Sequence, residues 1–183
     1  FPDYAEIPEK YKSDVAFIGT WMRKEKRDEF LLQLINSGIH VNIWGDAWPK
    51  SRYFSKLKPY WRGTSLGGRD YIAAIQGAKI CLGLLSKGNR DLHTTRSLEI
   101  PYAGGLLCAQ RTPEHAELYR EGVEAVFWSD ASECIQVCKA LLQSNSIEKI
   151  KMAGRQRVST LKVGNEDVCR TIVDAVFEPS WIY

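Results

Sequence analysis

The stretch KICLGLLSKGNRDLHTTRSLEIPYAGGLLCA, residues 79–109, decides the fold. Lys79 to Leu85 is apolar almost throughout, which suits a central parallel strand covered on both faces. Leu106 to Ala109 reads as a second strand. Between them, a polar turn opens a short helix that ends in Gly104-Gly105. A helix N-terminus offers unpaired backbone N–H groups and a partial positive charge, so an anion is held there without a metal. Arg96 adds a two-pronged hydrogen bond to phosphate, and Glu99, one turn further in, accepts from sugar hydroxyls as an acidic residue does on a ribose. A plainer account serves the same residues: Thr94 or Thr95 caps the helix and Arg96 pairs with a surface acid.

Working outward, strands alternate with helices. Asp14 to Ile18 is a strand ended by Gly19, and the segment from Arg23 onward carries Phe30, Leu31, Leu34 and Ile35 at helical spacing until Ser37-Gly38. Val41 to Trp44 is a second strand. Ala47 to Gly68 reads as a long connection with a short strand at Tyr60 to Arg62, and Asp70 to Gly77 as a helix. After the signature come a helix over Glu114 to Glu121 opened by Thr112-Pro113, a sixth strand over Ala125 to Trp128, and a helix to about Leu142 capped by Ser129 or Ser132. Ile147 to about Leu161 and Asn165 to Phe177 complete the pattern. It predicts an α/β, Rossmann-like, mainly parallel sheet of about six strands with helices on both faces, because parallel strands need crossover connections. Such sheets bind ligands at the carboxyl ends of their strands.

A second loop, Gly19 to Lys24, then meets the signature at that edge. Gly19, followed by Thr20, allows close backbone approach, and Arg23, Lys26 and Arg27 sit at or near the opening of the next helix, though a solvated helix face accounts for the same cations. His93 lies inside the signature, within reach of a phosphate or sugar, or is a hydrogen-bonded surface residue. His40 and His115 read as structural or solvated. Trp44, Trp48, Tyr53, Phe54, Tyr60 and Trp61 offer stacking surfaces for a base or sugar, or an inter-domain surface, with core packing favoured for Trp44 and Trp61.

The chain has 183 residues, 44% of them apolar, which is enough for one domain with a full core. A net charge of +3 is too weak to argue for nucleic acid. The five cysteines form no C-x-x-C pair and read as reduced core thiols, with Cys134 and Cys138 facing the core, in a cytoplasmic protein. No apolar run approaches the roughly 20 residues that cross a bilayer. Neither an Asp-x-Asp pair nor a ligand-spaced group of His, Cys and acids stands in the sequence, so no metal and no cofactor is expected.

The string from Asn89 to Glu114, Glu121 to Trp128, Asp14 to Trp21 and Ala153 to Val158 together resemble the C-terminal domain of CgeB-type, spore-maturation-protein-like glycosyltransferases of GT-B architecture. The resemblance runs from about residue 10 to residue 160. It implies a donor domain for a nucleoside-diphosphate sugar (residues 14–162), preceded by a linker or domain remnant (1–13) and followed by a C-terminal helix and tail (163–183). The partner acceptor-binding domain, normally N-terminal, is expected outside this chain, which opens on Phe1 and reads as part of a longer protein. Many retaining members carry Glu, seven residues, then Glu; here Asp91 and Glu99 stand at that spacing, Asp91 being the shorter acid. The resemblance gives Glu99 the ribose, Thr94, Thr95 and Arg96 the diphosphate, and Asp91 a contact to the sugar as the one catalytic candidate; Gly19, Thr20, Arg23, Arg27 and His93 complete the expected donor site. Charge developing on the leaving diphosphate would be met by helix N–H groups and arginine in place of a metal. Two other readings fit the same sheet: a non-catalytic nucleotide-binding or sensory module, and a flavodoxin-like or TIR-like interaction domain. The tail from Glu178 to Tyr183 is expected to cover a missing domain or to mediate self-association.

Overall fold

The computed structural model describes residues 6–177. Six strands form one parallel sheet in the order β3-β2-β1-β4-β5-β6. They are β1 (Ser13–Ile18), β2 (Val41–Trp44), β3 (Trp61–Gly63), β4 (Ala78–Gly83), β5 (Leu107–Gln110) and β6 (Val126–Trp128). Helices α1 (Arg27–Asn36), α2 (Phe54–Leu57), α3 (Gly68–Gly77), α4 (Thr95–Tyr102), α5 (Pro113–Leu118), α6 (Ala131–Leu142), α7 (Ile147–Thr160) and α8 (Asn165–Phe177) follow the strands or close the chain. The chain winds outward from β1 to β3, returns to β4 beside β1, and then winds the other way. The loops after β1 and β4 therefore diverge and leave a crevice at the carboxyl edge.

Both faces of the sheet are covered. Val15, Phe17, Ile80, Leu82 and Cys108 pack with Leu31 and Leu34 of α1 and Cys134 and Cys138 of α6. Ala16, Cys81, Leu107 and Phe127 pack on the opposite face with Ile72 and Ile75 of α3, Ile100 of α4 and Val158 of α7. The alternation of neighbours along each strand follows from the two-residue side-chain period.

The strands lie within a residue or two of their expected places. The helix expected after the loop from Gly19 to Lys24 begins at Arg27, where Lys24 and Lys26 take left-handed φ values of 74° and 55° that hold the segment before it as a loop. Three local expectations are corrected. The connection from Ala47 to Gly68 contains the short helix α2 as well as its strand. Asp130, rather than Ser129 or Ser132, caps α6, its carboxylate accepting from the Glu133 amide at 2.9 Å. The helix after Thr112 stops at Leu118, short of Glu121. Residues Glu178 to Tyr183 and the first residues of the expected linker lie outside the described residues.

Gly45 fixes how the β1 and β2 ends cross. Its φ is +139°, and a Cβ there would lie 2.2 Å from the Gly19 carbonyl oxygen. That carbonyl accepts from Trp48 Nε1 at 3.0 Å, and the Gly19 amide donates to Trp44 O at 2.8 Å. Trp48 is fully buried, so it serves the core and leaves the stacking surfaces offered by the aromatic segment. Gly45→Ala is expected to destabilise the fold by roughly 2–4 kcal/mol, through combined clash and backbone strain. Urea unfolding checks this, with a smaller loss, about 1 kcal/mol or less, expected for Gly67→Ala, which meets no atom within 4 Å.

Candidate functional site

The crevice holds a cleft of about 210 Å³ lined by Gly19, Thr20, Arg27, Leu66, Thr94 and Arg96 among others. The two loops singled out in the sequence therefore meet, at the switch point between β1 and β4. A larger hollow of about 470 Å³ lies at the opposite edge, between α5 and α7. Its polar groups serve the fold: Glu124 accepts from Arg120 at 2.8 Å, and Arg157 donates to the Leu118 carbonyl at 2.7 Å.

Arg27 is the first residue of α1 and is only 9% exposed. Its guanidinium donates to Thr20 O at 2.8 Å and, more weakly, to Leu85 O at 3.4 Å. Its Nε is enclosed without a partner among the described residues. One cation thus bridges the loops after β1 and β4 while keeping donor capacity unspent. Burial pushes the guanidinium below its ordinary value, and the Glu25 and Asp91 carboxylates oppose that push.

Glu25, which the sequence reading missed, ties the same loops together. Its carboxylate accepts from the Lys87 amide at 2.9 Å, the Gly88 amide at 3.1 Å and the Ser86 hydroxyl at 3.2 Å. Burial raises this carboxyl, but the two amides, the hydroxyl and Arg27 outweigh it and hold it below the usual carboxylate value. No local pattern marks Glu25, because its partners lie about sixty residues away.

Arg96 and Glu99 stand one turn apart on α4 and pair with each other. Tyr71 of α3 completes the group: its hydroxyl donates to Glu99 Oε2 at 2.8 Å and accepts from Arg96 at 2.8 Å. The guanidinium also lies over the Tyr71 ring at 4.5 Å. Burial, and then the bond to Glu99, push the Tyr71 phenol up and keep it a donor. The Glu99 side chain remains 37% exposed, so it is not sealed in the core. Thr95 and Arg23 are exposed, Asp91 is half-buried near Arg27, and His93 pairs with Glu114 at the surface. Of the residues expected at the site, Gly19, Thr20, Arg27, Thr94 and Arg96 line the cleft, whereas Arg23, Asp91, His93, Thr95 and Glu99 do not.

The start of α4 is held from below by a chain of hydrogen bonds. The Thr94 amide donates to Ser97 Oγ at 3.1 Å, Ser97 Oγ donates to His115 Nε2 at 2.8 Å, and His115 Nδ1 donates to Gln110 O at 2.6 Å. The carbonyl partner fixes the tautomer, since Nδ1 must be the donor there. Pro101 lacks the N–H that would satisfy the Ser97 carbonyl, and the buried Tyr119 hydroxyl does so instead at 2.8 Å. Thr112 Oγ1 donates to Leu92 O at 2.6 Å. The β5–α5 segment therefore sets the direction of the α4 N-terminus. Of the two roles the sequence left open for His115, structural and solvated, the structure selects the first: it is fully buried.

A model of the family described as glycosyl transferase-like matches residues 23–164. The chain belongs to this family. No curated protein matches the sequence at a significant level. Among solved structures, this glycosyl transferase-like chain is similar to the pneumococcal O-GlcNAc transferase GtfA, solved with UDP and GlcNAc (14% identity, TM-score 0.66, covering 91% of this chain and 36% of that one). It is similar to sucrose-phosphate synthase from Thermosynechococcus elongatus (14%, 0.68, 94% and 47%). It is also similar to the C-terminal domain of the group 1 glycosyl transferase LpcC from Francisella tularensis (11%, 0.63, 86% and 93%). At these identities the likeness is one of fold, the Rossmann-like half of a GT-B glycosyltransferase. The chain spans under half the length of the first two.

Burial holds the His115 pKa below its unfolded value, with the Gln110 carbonyl opposing. Below about pH 6.5 the unfolded chain takes up a proton that the folded chain refuses, so stability is full above that pH and falls as pH drops. Protonation would also give Nε2 a hydrogen facing Ser97 Oγ, so that the hydroxyl would have to accept there and send its own hydrogen elsewhere. The expected loss is at most about 1.4 kcal/mol per pH unit between pH 6.5 and 5. Urea titrations at pH 7.5 and 5.5 check it, with that loss absent in His115→Asn.

Proposed function

We propose that this chain is the donor half of a CgeB-type GT-B glycosyltransferase, binding a nucleoside-diphosphate sugar for metal-independent transfer to an acceptor held by a second domain. The observation that carries the reading is Arg27, a buried cation with donor capacity to spare, in a cleft shared by the Gly19 loop and the N-terminus of α4. A diphosphate across that cleft would meet Arg27, the amides around Thr94 and Thr95, and Arg96. The relative GtfA was solved with UDP, so a uridine diphosphate sugar is the first donor to try.

Each group then has a role. Gly19 lets the diphosphate approach the backbone beside Thr20, while Glu99, oriented by Tyr71, accepts from the ribose hydroxyls. Asp91, half-buried near Arg27, contacts the transferred sugar, and His93 and Arg23 extend the rim. As the bond from the anomeric carbon to the diphosphate oxygen breaks, negative charge grows on that oxygen, and fixed donors stabilise it without reorganising. Helix N–H groups and arginine supply the charge a divalent ion would otherwise bring.

The acceptor half lies outside this chain in our reading. Helix α8 supports it: no residue of α8 is buried, and Val168, Ile172, Val176 and Phe177 stand exposed along it, 49 to 76%. No helix among the described residues is long and apolar enough to cross a membrane. The four buried thiols suit a cytoplasmic setting.

Calorimetric titration with UDP and UDP-sugars tests the assignment. Binding is expected with EDTA present, weakened roughly 10- to 100-fold in Arg27→Ala and Glu99→Ala and by a similar factor in Arg96→Ala. No nucleotide binding by a folded sample would sink the reading. Binding without sugar-nucleotide hydrolysis or transfer, even with the acceptor domain restored, would favour a sensory module.

A further inference from the structure

On the sheet face away from α4, Cys108 of β5 meets Cys134 and Cys138 of α6. The latter two stand four residues apart, so they project from one side of the helix. All three are fully buried, and their Sγ atoms lie within 4.8 Å of one another. From this arrangement we propose that Cys108, Cys134 and Cys138 form a buried three-sulfur site for copper(I). The inference does not rest on the glycosyltransferase reading.

Three observations select a soft, three-coordinate ion. A metal–sulfur bond of about 2.3 Å in a planar triangle places the sulfurs about 4 Å apart, so the cluster closes on an ion by less than about an ångström. No histidine or carboxylate joins the three sulfurs among the described residues, and their surroundings are the apolar side chains of the core. A structural zinc site takes four ligands, whereas thiolate sets favour copper(I), which is satisfied by three. Each sulfur that binds as a thiolate releases its proton to water. Two thiolates and one thiol around a monovalent ion leave a single net negative charge in the core.

The cluster is closed to solvent, so the ion enters during folding or when α6 opens from the sheet. Once bound, it staples α6 to β5. Cys169 is exposed and would bind copper adventitiously, so the test uses the full chain carrying Cys169→Ser.

The reduced protein is refolded anaerobically with copper(I) in competition with a colorimetric chelator. One equivalent is expected to be retained, with three sulfur neighbours by X-ray absorption. Loading at about a hundred times the dissociation constant should raise the unfolding midpoint by roughly 5–10 °C. Cys138→Ser and Cys134→Ser should each lose at least about 10-fold in affinity. Should neither variant fold, the titration and absorption spectrum of the Cys169→Ser protein decide. Failure of that folded protein to hold copper against the chelator would overturn the site. So would equal retention by a folded Cys138→Ser variant, or preference for zinc in direct competition.

Discussion

The crevice between β1 and β4 is bridged by one buried guanidinium, and the rest of the site depends on it. Arg27 is drawn to the carbonyls of Thr20 and Leu85, which lie in the loops just beyond the two strands flanking the switch point. A buried cation is costly unless hydrogen-bonded or faced by opposite charge. Here two carbonyls and the field of Glu25 and Asp91 meet that cost in part, leaving Nε without a partner. Under the proposed reading, that remaining donor capacity is what an anion in the cleft would draw on. Helix α1 can begin at Arg27 only because the two left-handed lysines before it turn the chain there.

The second wall is positioned by contacts remote from the cleft. Helix α4 is short, and its interior proline removes one of its few backbone hydrogen bonds, so propensity alone would hold it poorly. Ser97, His115 and Tyr119 replace what the sequence of α4 lacks. Its far end is closed by Gly104, at φ +85°, with the Gly105 amide on Ile100 O at 2.8 Å. The N-terminal end of α4 is therefore held by the β5–α5 segment beneath it. Sequence features that weaken the helix are the ones that connect it to the core.

The sheet was legible because its strands are apolar runs spaced by helix-length segments, and both signals are local. The site loops were legible for a related reason: Gly19, the Thr94–Thr95 pair and the terminal glycines carry their chemistry in adjacent residues. What remained hidden was long-range. Glu25 meets Ser86, Lys87 and Gly88; Tyr71 meets Glu99; His115 meets Ser97; and Cys108 meets Cys134 and Cys138. In each case one partner sits in an element whose local sequence gives no reason for its choice. Helix α2 was hidden differently, being a single turn within an aromatic segment with no cap signal.

The Arg96–Glu99–Tyr71 group bears on how a ligand enters. An ion pair more than one-third exposed contributes little to stability, on the order of 0–1 kcal/mol. Turning Arg96 from Glu99 toward an anion in the cleft therefore costs little, and a diphosphate offers a stronger, charge-assisted partner in return. Glu99 is not left unpaired by that exchange, because the Tyr71 hydroxyl still donates to it. The freed side of the carboxylate can then accept from a sugar hydroxyl. Under the proposed donor reading, the closed pair is, on these magnitudes, a resting arrangement whose two members would separate when a ligand presents both a negative charge and a donor.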